Sequence, residues 1–140
     1  KPLAERAAAQ DEGAHARTRE RWGWLEMVAP ARLSRARFLQ MQEDLVNGFL
    51  NEDFQRRLHA GWYASTEQLE RLKWKTNLCL EVQGPILKAY GFEASRRGVS
   101  HSIKMFLDYY AKDSDMTRNN EVMAWLVDPD LQAREPQGPG

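Results

Sequence analysis

Few side chains in this sequence combine a type and a spacing that could do chemistry. Histidines stand at His15, His59 and His101. A zinc site needs His or Cys ligands a few positions apart, and none of the three has a second His or a Cys within that reach. They are read as surface or helix-end residues. The alternative is an axial ligand to a pigment or haem, for which His59, beside Trp62 and Tyr63, is the best candidate. The one cysteine, Cys79, falls on the apolar side of a long helical pattern. A nucleophilic thiol needs nearby cations or a helix N-terminus to lower its pKa, and mid-helix placement supplies neither. Cys79 is therefore read as an inert buried thiol, and a disulfide framework is excluded. No Gly-x-Ser-x-Gly elbow is present. Gly84 and Gly91 are isolated, so no glycine-rich phosphate loop exists. Asp113 and Asp115 lack the central Gly and distal Glu of a calcium loop, and read as turn and N-cap residues. No catalytic residue, metal or cofactor is expected, and the chain is read as non-enzymatic.

Aromatic residues are the more distinctive signal. In Tyr90-Gly91-Phe92, Gly91 can stop a helix at positive φ while the two rings pin the loop onto the next helix. The same rings could instead form a recognition patch for a partner peptide. Trp22-Gly23-Trp24 and Trp62-Tyr63 are the other unusual runs. Tryptophan is enriched at interface hot spots. Five Trp in 140 residues exceed what a small bundle needs, which places at least one at an interface. Arg17, Arg19 and Arg21 precede the first Trp pair. Residues 1–40 carry 8 basic and 5 acidic groups, net +3, and the remainder is net −3. Three excess charges are too few for nucleic-acid binding, but they suit docking on an acidic protein surface. The expected partner-binding residues are Arg17, Arg19, Arg21, Trp22, Trp24, Trp62, Tyr90 and Phe92, and the expected partners are other protein subunits.

The elements that must position these residues follow from periodicity. Residues 1–20 hold one large apolar side chain, Leu3, and cannot bury themselves. Ser34 reads as an N-cap before Phe38, Met41, Leu45 and Phe49, one apolar stripe on a helix over 35–50. Asn51 caps a second segment with Phe54 and Leu58, ending near Gly61. Thr66 opens the longest helix, over 67–90, with Leu69, Leu72, Thr76, Cys79, Val82 or Gln83, Ile86 and Tyr90 inward. Gly84-Pro85 predicts a kink within it. Ser95 caps a helix burying Val99, Ile103, Phe106, Leu107 and Tyr110. A last helix spans 116–126, burying Val122, Met123 and Leu126, and Asp128-Pro129 closes it. Ile86, Tyr90, Ile103, Phe106 and Leu126 are expected to share one core. No segment alternates with period two. No run of about 18 apolar residues could span a membrane. The expected fold is all-α, a small bundle of four to five helices with an extended N-terminal arm.

The run Glu81-Val82-Gln83-Gly84-Pro85-Ile86-Leu87-Lys88-Ala89-Tyr90-Gly91-Phe92 resembles the signature of the small eukaryotic protein C-ten family (the letter C followed by ten). Gly98-Val99, the apolar helix from Ile103 to Tyr110, the acidic break Asp113-Ser114-Asp115 and Trp125-Leu126-Val127-Asp128-Pro129 follow in the family's order. Leu45-Val46-Asn47-Gly48-Phe49 is similar to its upstream block. The resemblance covers about residues 35–131. It implies a small helical interaction module with no established enzymatic activity and supplies no catalytic residues. The expected organisation is an arm over 1–33 with a Trp-rich anchor, a bundle over 34–131 and a flexible tail over 132–140. The expected function is that of an adaptor or accessory subunit. The alternatives are a peripheral subunit of a membrane-bound energy-converting complex, such as a photosynthetic one in contact with pigment, and a small enzyme of unrecognised class. The chain begins at Lys1 and shows no signal peptide. The lone thiol favours the cytoplasm, with a plastid the alternative after removal of a targeting peptide.

Overall fold

The computed structural model describes residues 30–140. Among them the chain forms six α-helices, one turn of π-helix and no strand. The helices are α1 (Arg35–Leu50), α2 (Glu52–Tyr63), α3 (Gln68–Ala89), α4 (Arg96–Met105), α5 (Ser114–Leu126) and α6 (Pro129–Arg134). The π turn, Phe106–Tyr110, continues directly from α4. The expected all-α bundle is what the chain forms. The arm residues Arg17, Arg19, Arg21, Trp22 and Trp24 lie outside the described residues.

Caps set most boundaries. The Ser34, Asn51, Ser95, Asp113 and Asp128 side chains each accept a hydrogen bond from a backbone N–H in the first turn of the following helix. These bonds satisfy donors that no helical carbonyl reaches. Thr66 does not cap α3. Glu67 occupies that position without a side-chain bond, and Ser65 Oγ accepts from the Glu67 N–H at 3.1 Å. α3 runs on through Pro85 as one helix. The proline deprives the Glu81 carbonyl of its helical donor, but both residues are exposed and water can supply the bond. The end of α3 is a Schellman motif. Phe92 N–H donates to Leu87 O at 2.9 Å, Gly91 N–H donates to Lys88 O at 3.1 Å, and Gly91 has φ 94°.

Hydrogen bonds fix the helix directions. Arg35 pairs with Asp113 at 2.6 Å and Asp115 at 2.8 Å, Gln42 bonds Met116 and Asn120, and Gln55 bonds Leu126. α1 and α5 therefore run parallel. Tyr90 Oη donates to Asp44 Oδ2 at 2.7 Å, and Gly48 lies against Val82, so α3 is antiparallel to α1. The core between them holds Phe38, Met41, Leu45 and Phe49 of α1, Leu58 of α2, Leu78, Cys79 and Leu87 of α3, and Met116 and Leu126 of α5.

Two expectations about burial need correction. Leu69, Leu72, Ile103 and Leu107 are exposed, Ile103 at 54 % and Leu107 at 61 %. Val82, Ile86, Val99, Phe106, Val122 and Met123 are only partly buried, packed against the core. Within α4 the buried residues are Gly98 and Met105, seven apart, so its inward face misses Ile103. In the π turn that follows, residues five apart lie over one another, so Met105 and, as expected, Tyr110 are buried while Leu107 faces out. The expected closure at Asp128-Pro129 is instead the start of α6, with buried Pro129 in its first turn. Gln132 Nε2 fastens this helix to Trp125 O at 2.9 Å and Leu126 O at 3.0 Å, so the segment read as tail begins as ordered helix.

Candidate binding cleft

α4 packs on α3 and stands away from α5. The turn from Gly91 to Ser95 sets its position. Gly98 lies so close to the Glu93 carbonyl that a Cβ there would overlap it. The gap left between α4 and α5 is a cleft of about 530 Å³. Such volumes fall within the usual range for ligand sites. Its floor is Phe38, Met41, Leu45 and Phe49 of α1 with Cys79 and Leu80 of α3. One wall is Val99, Ile103 and Phe106, and the other is Met123, Ala124 and Val127.

Polar groups in the cleft divide into closed and open sets. Gln42 is almost wholly buried, at 1 % exposure, and its amide is fully engaged. Its Nε2 donates to Met116 O at 3.2 Å and Asn120 Oδ1 at 3.1 Å, and its Oε1 accepts from Asn119 Nδ2 at 3.0 Å. It joins α1 to α5 and offers nothing to a ligand. Lys75 and Arg96 have no ion-pair partner among the described residues. Arg96 makes one long hydrogen bond, Nη2 to Asn77 Oδ1 at 3.5 Å. This bond ties the start of α4 to the Lys75 region of α3. Both cations therefore stand at one end of the cleft, near Phe49. Phe38 and Phe106 mark the other end, where Leu33 N–H contacts Met105 Sδ and Tyr110 Oη donates to Leu33 O at 2.5 Å.

Among the described residues the lining includes no His, Asp or Glu. Burial pushes the Cys79 thiol up to about 11, and Lys75 pulls weakly the other way. At neutral pH the thiol is protonated, and Lys75 and Arg96 are the charged groups among the described lining residues. The cleft can bind by apolar burial and by positive charge at one end. A smaller hollow of about 370 Å³ between α1, α2 and α3 is closed electrostatically. There Arg57 Nη1 donates to Glu81 Oε1 at 3.0 Å.

The residues singled out from sequence fall elsewhere. Tyr90 and Phe92 are buried, at 8 % and 3 %. Burial, then the hydrogen bond to Asp44, pushes the Tyr90 hydroxyl up to about 12. Trp62 is buried at 3 %, with its indole N–H on Asp130 Oδ1 at 3.1 Å. All three side chains are taken up by the bundle, so the recognition patch expected of them has no exposed surface to act through. Trp74 Nε1 donates to Arg57 O at 3.2 Å and Trp125 Nε1 to Glu135 O at 2.7 Å. Each indole N–H among the described residues is thus satisfied within the domain. His59 Nδ1 bonds Gln55 O at 2.8 Å in its own helix, away from the cleft. A carbonyl only accepts, so Nδ1 carries the proton. No group of three or more potential metal ligands occurs among the described residues, and no described helix is long and apolar enough to cross a membrane.

Sequence reasoning missed Lys75, Arg96 and Ile103 as site residues. Their spacing carries no motif, and the signal lies in unpaired charges beside an apolar stripe that the fold leaves uncovered. No family model, curated protein or solved structure matches the chain.

Proposed function

We propose that this protein is a non-catalytic helical interaction module, an adaptor or accessory subunit of a larger assembly. In this reading the cleft between α4 and α5 seats an apolar helical segment of a partner subunit. The observation that carries it is the cleft itself: an open apolar trough that, among the described residues, is lined by no His, Asp or Glu and has at one end two cations without an ion-pair partner. Helix-in-groove recognition needs such a surface, with pockets for side chains at i, i+3, i+4 and i+7. Ile103, at 54 % exposure, is an aliphatic side chain on the cleft wall that a bound helix would cover. The resemblance of residues 35–131 to the protein C-ten family supports the same reading.

The test is native co-purification of the full chain beside an Ile103→Asp variant. Because Ile103 is half exposed, the variant should unfold at nearly the same temperature. Subunits that co-purify with the wild type should be lost with the variant. An unchanged set of subunits would remove the cleft from the interface.

A further inference from the structure

The cleft is charged at one end only, and this restricts what can lie in it. Phe38 to Phe49 spans about 17 Å of α1, at about 1.5 Å per residue, or roughly three helical turns. Lys75 and Arg96 sit at the Phe49 end without ion-pair partners among the described residues. The N-terminus of α4 opens at the same end, capped by Ser95. It adds the partial positive charge of its unpaired N–H groups. Among the described residues no carboxylate lines the cleft to offset any of this.

We propose that the cleft's occupant is an amphipathic helix of a partner protein, about three turns long, whose acidic C-terminal turn lies over Lys75 and Arg96. This rests on the reading of the chain as an interaction module and adds the occupant's charge and direction. A helix C-terminus is the negative end of its dipole, so its own carbonyls and its acidic side chains favour the same placement. The bound helix runs parallel to α1. The chain's own Trp22-Gly23-Trp24-Leu25 run is apolar enough for the trough, but it follows Arg17, Arg19 and Arg21. Entering from Leu33 at the Phe38 end, it would carry those arginines toward Lys75 and Arg96. Like charges there oppose it.

Three labelled peptides on the full-length protein test this by fluorescence anisotropy. All carry leucine at one-face helical spacing: one has a glutamate-rich last turn, one a glutamate-rich first turn, and one lysines in the last turn. The first should bind about tenfold tighter than the lysine peptide, the 1.4 kcal/mol that two rim ion pairs of up to about 1 kcal/mol each can supply. Added salt should narrow the gap. Exchanging both cations, Lys75→Glu with Arg96→Glu, should reverse the preference. If the peptides bind equally well and Ile103→Asp abolishes them all, the docking cleft stands and the charge and direction fall. A first-turn peptide as tight as the last-turn one overturns the direction. Binding of no peptide, or binding indifferent to Ile103→Asp, overturns both readings. Tighter binding by a peptide of residues 18–30 would make the chain's own arm the occupant. Binding of laurate below its micelle concentration, with no peptide binding, would make the trough an acyl-chain site.

Discussion

Leu58 and Ile103 are comparable aliphatic residues in the sequence, yet Leu58 is 0 % exposed and Ile103 is 54 % exposed. Leu58→Ala should cost on the order of 2–5 kcal/mol, the usual range for emptying a sealed aliphatic site. Ile103→Ala should change stability by less than about 0.5 kcal/mol. Denaturant unfolding of the two variants separates them, and similar losses would mean that α4 packs differently. Cys79 gives a pH test. Its folded pKa, about 11, lies above the ordinary 9.0. Between those values the native state keeps a proton that the unfolded chain has lost, so stability falls as pH rises. Tyr90 adds a fall between its ordinary 10.0 and about 12. Cys79→Ala should remove the earlier part of the decline and leave the Tyr90 part. An unchanged profile would mean that Cys79 is open to solvent. The inert thiol was legible from its place on an apolar stripe. Lys75 and Arg96 were not, because a cation's lack of a partner is a property of the fold.

At the scale of elements, capping was the most legible feature. Ser34, Asn51, Ser95 and Asp113 stand before apolar periodicities and act as caps. Gly91 stops α3 at positive φ, as its place between Tyr90 and Phe92 suggested. The π turn was not legible, because nothing in Phe106-Leu107-Asp108-Tyr109-Tyr110 marks an i→i+5 pattern in a sequence read at 3.6 residues per turn. Met105 before it and Tyr110 at its end are the residues buried there. The Glu93 carbonyl over Gly98 was equally hidden, and it sets where α4 stands. Gly98→Ala forces a Cβ onto backbone that cannot yield as a flexible side chain would. The variant should lose about 1–3 kcal/mol, the usual cost of overpacking. It should also weaken peptide binding in the cleft, since the α4 wall must shift. Unfolding and anisotropy measured together check this. A destabilised variant with intact binding would mean that the turn, and not the wall, absorbs the strain.

For the whole molecule, the net charge of zero hides a basic first segment and an acidic remainder, within which one end of the cleft is locally cationic. Residues 1–40 are net +3, while the cleft at the far end of α1 is itself cationic. Both attract acidic surface, so a single acidic partner can engage the arm and the cleft together, each contact raising the effective concentration for the other. Among the described residues the buried core begins at Phe38, and every described indole N–H is satisfied within residues 30–140. Deleting residues 1–29 should therefore leave the unfolding temperature within a few degrees, equivalent to less than about 1 kcal/mol. Affinity of the truncated chain for the glutamate-ended peptide should stay within about twofold, because that peptide reaches the cleft alone. Co-purification of the natural partner should weaken, and weaken more at low salt, where the lost arginines contribute most. Calorimetry, anisotropy and co-purification on the same pair of proteins distinguish the outcomes. A large fall in unfolding temperature would place Trp22 and Trp24 in the core. A rise in peptide affinity on truncation would show that the arm competes for the cleft, and its arginines would then have to find carboxylates outside the lining.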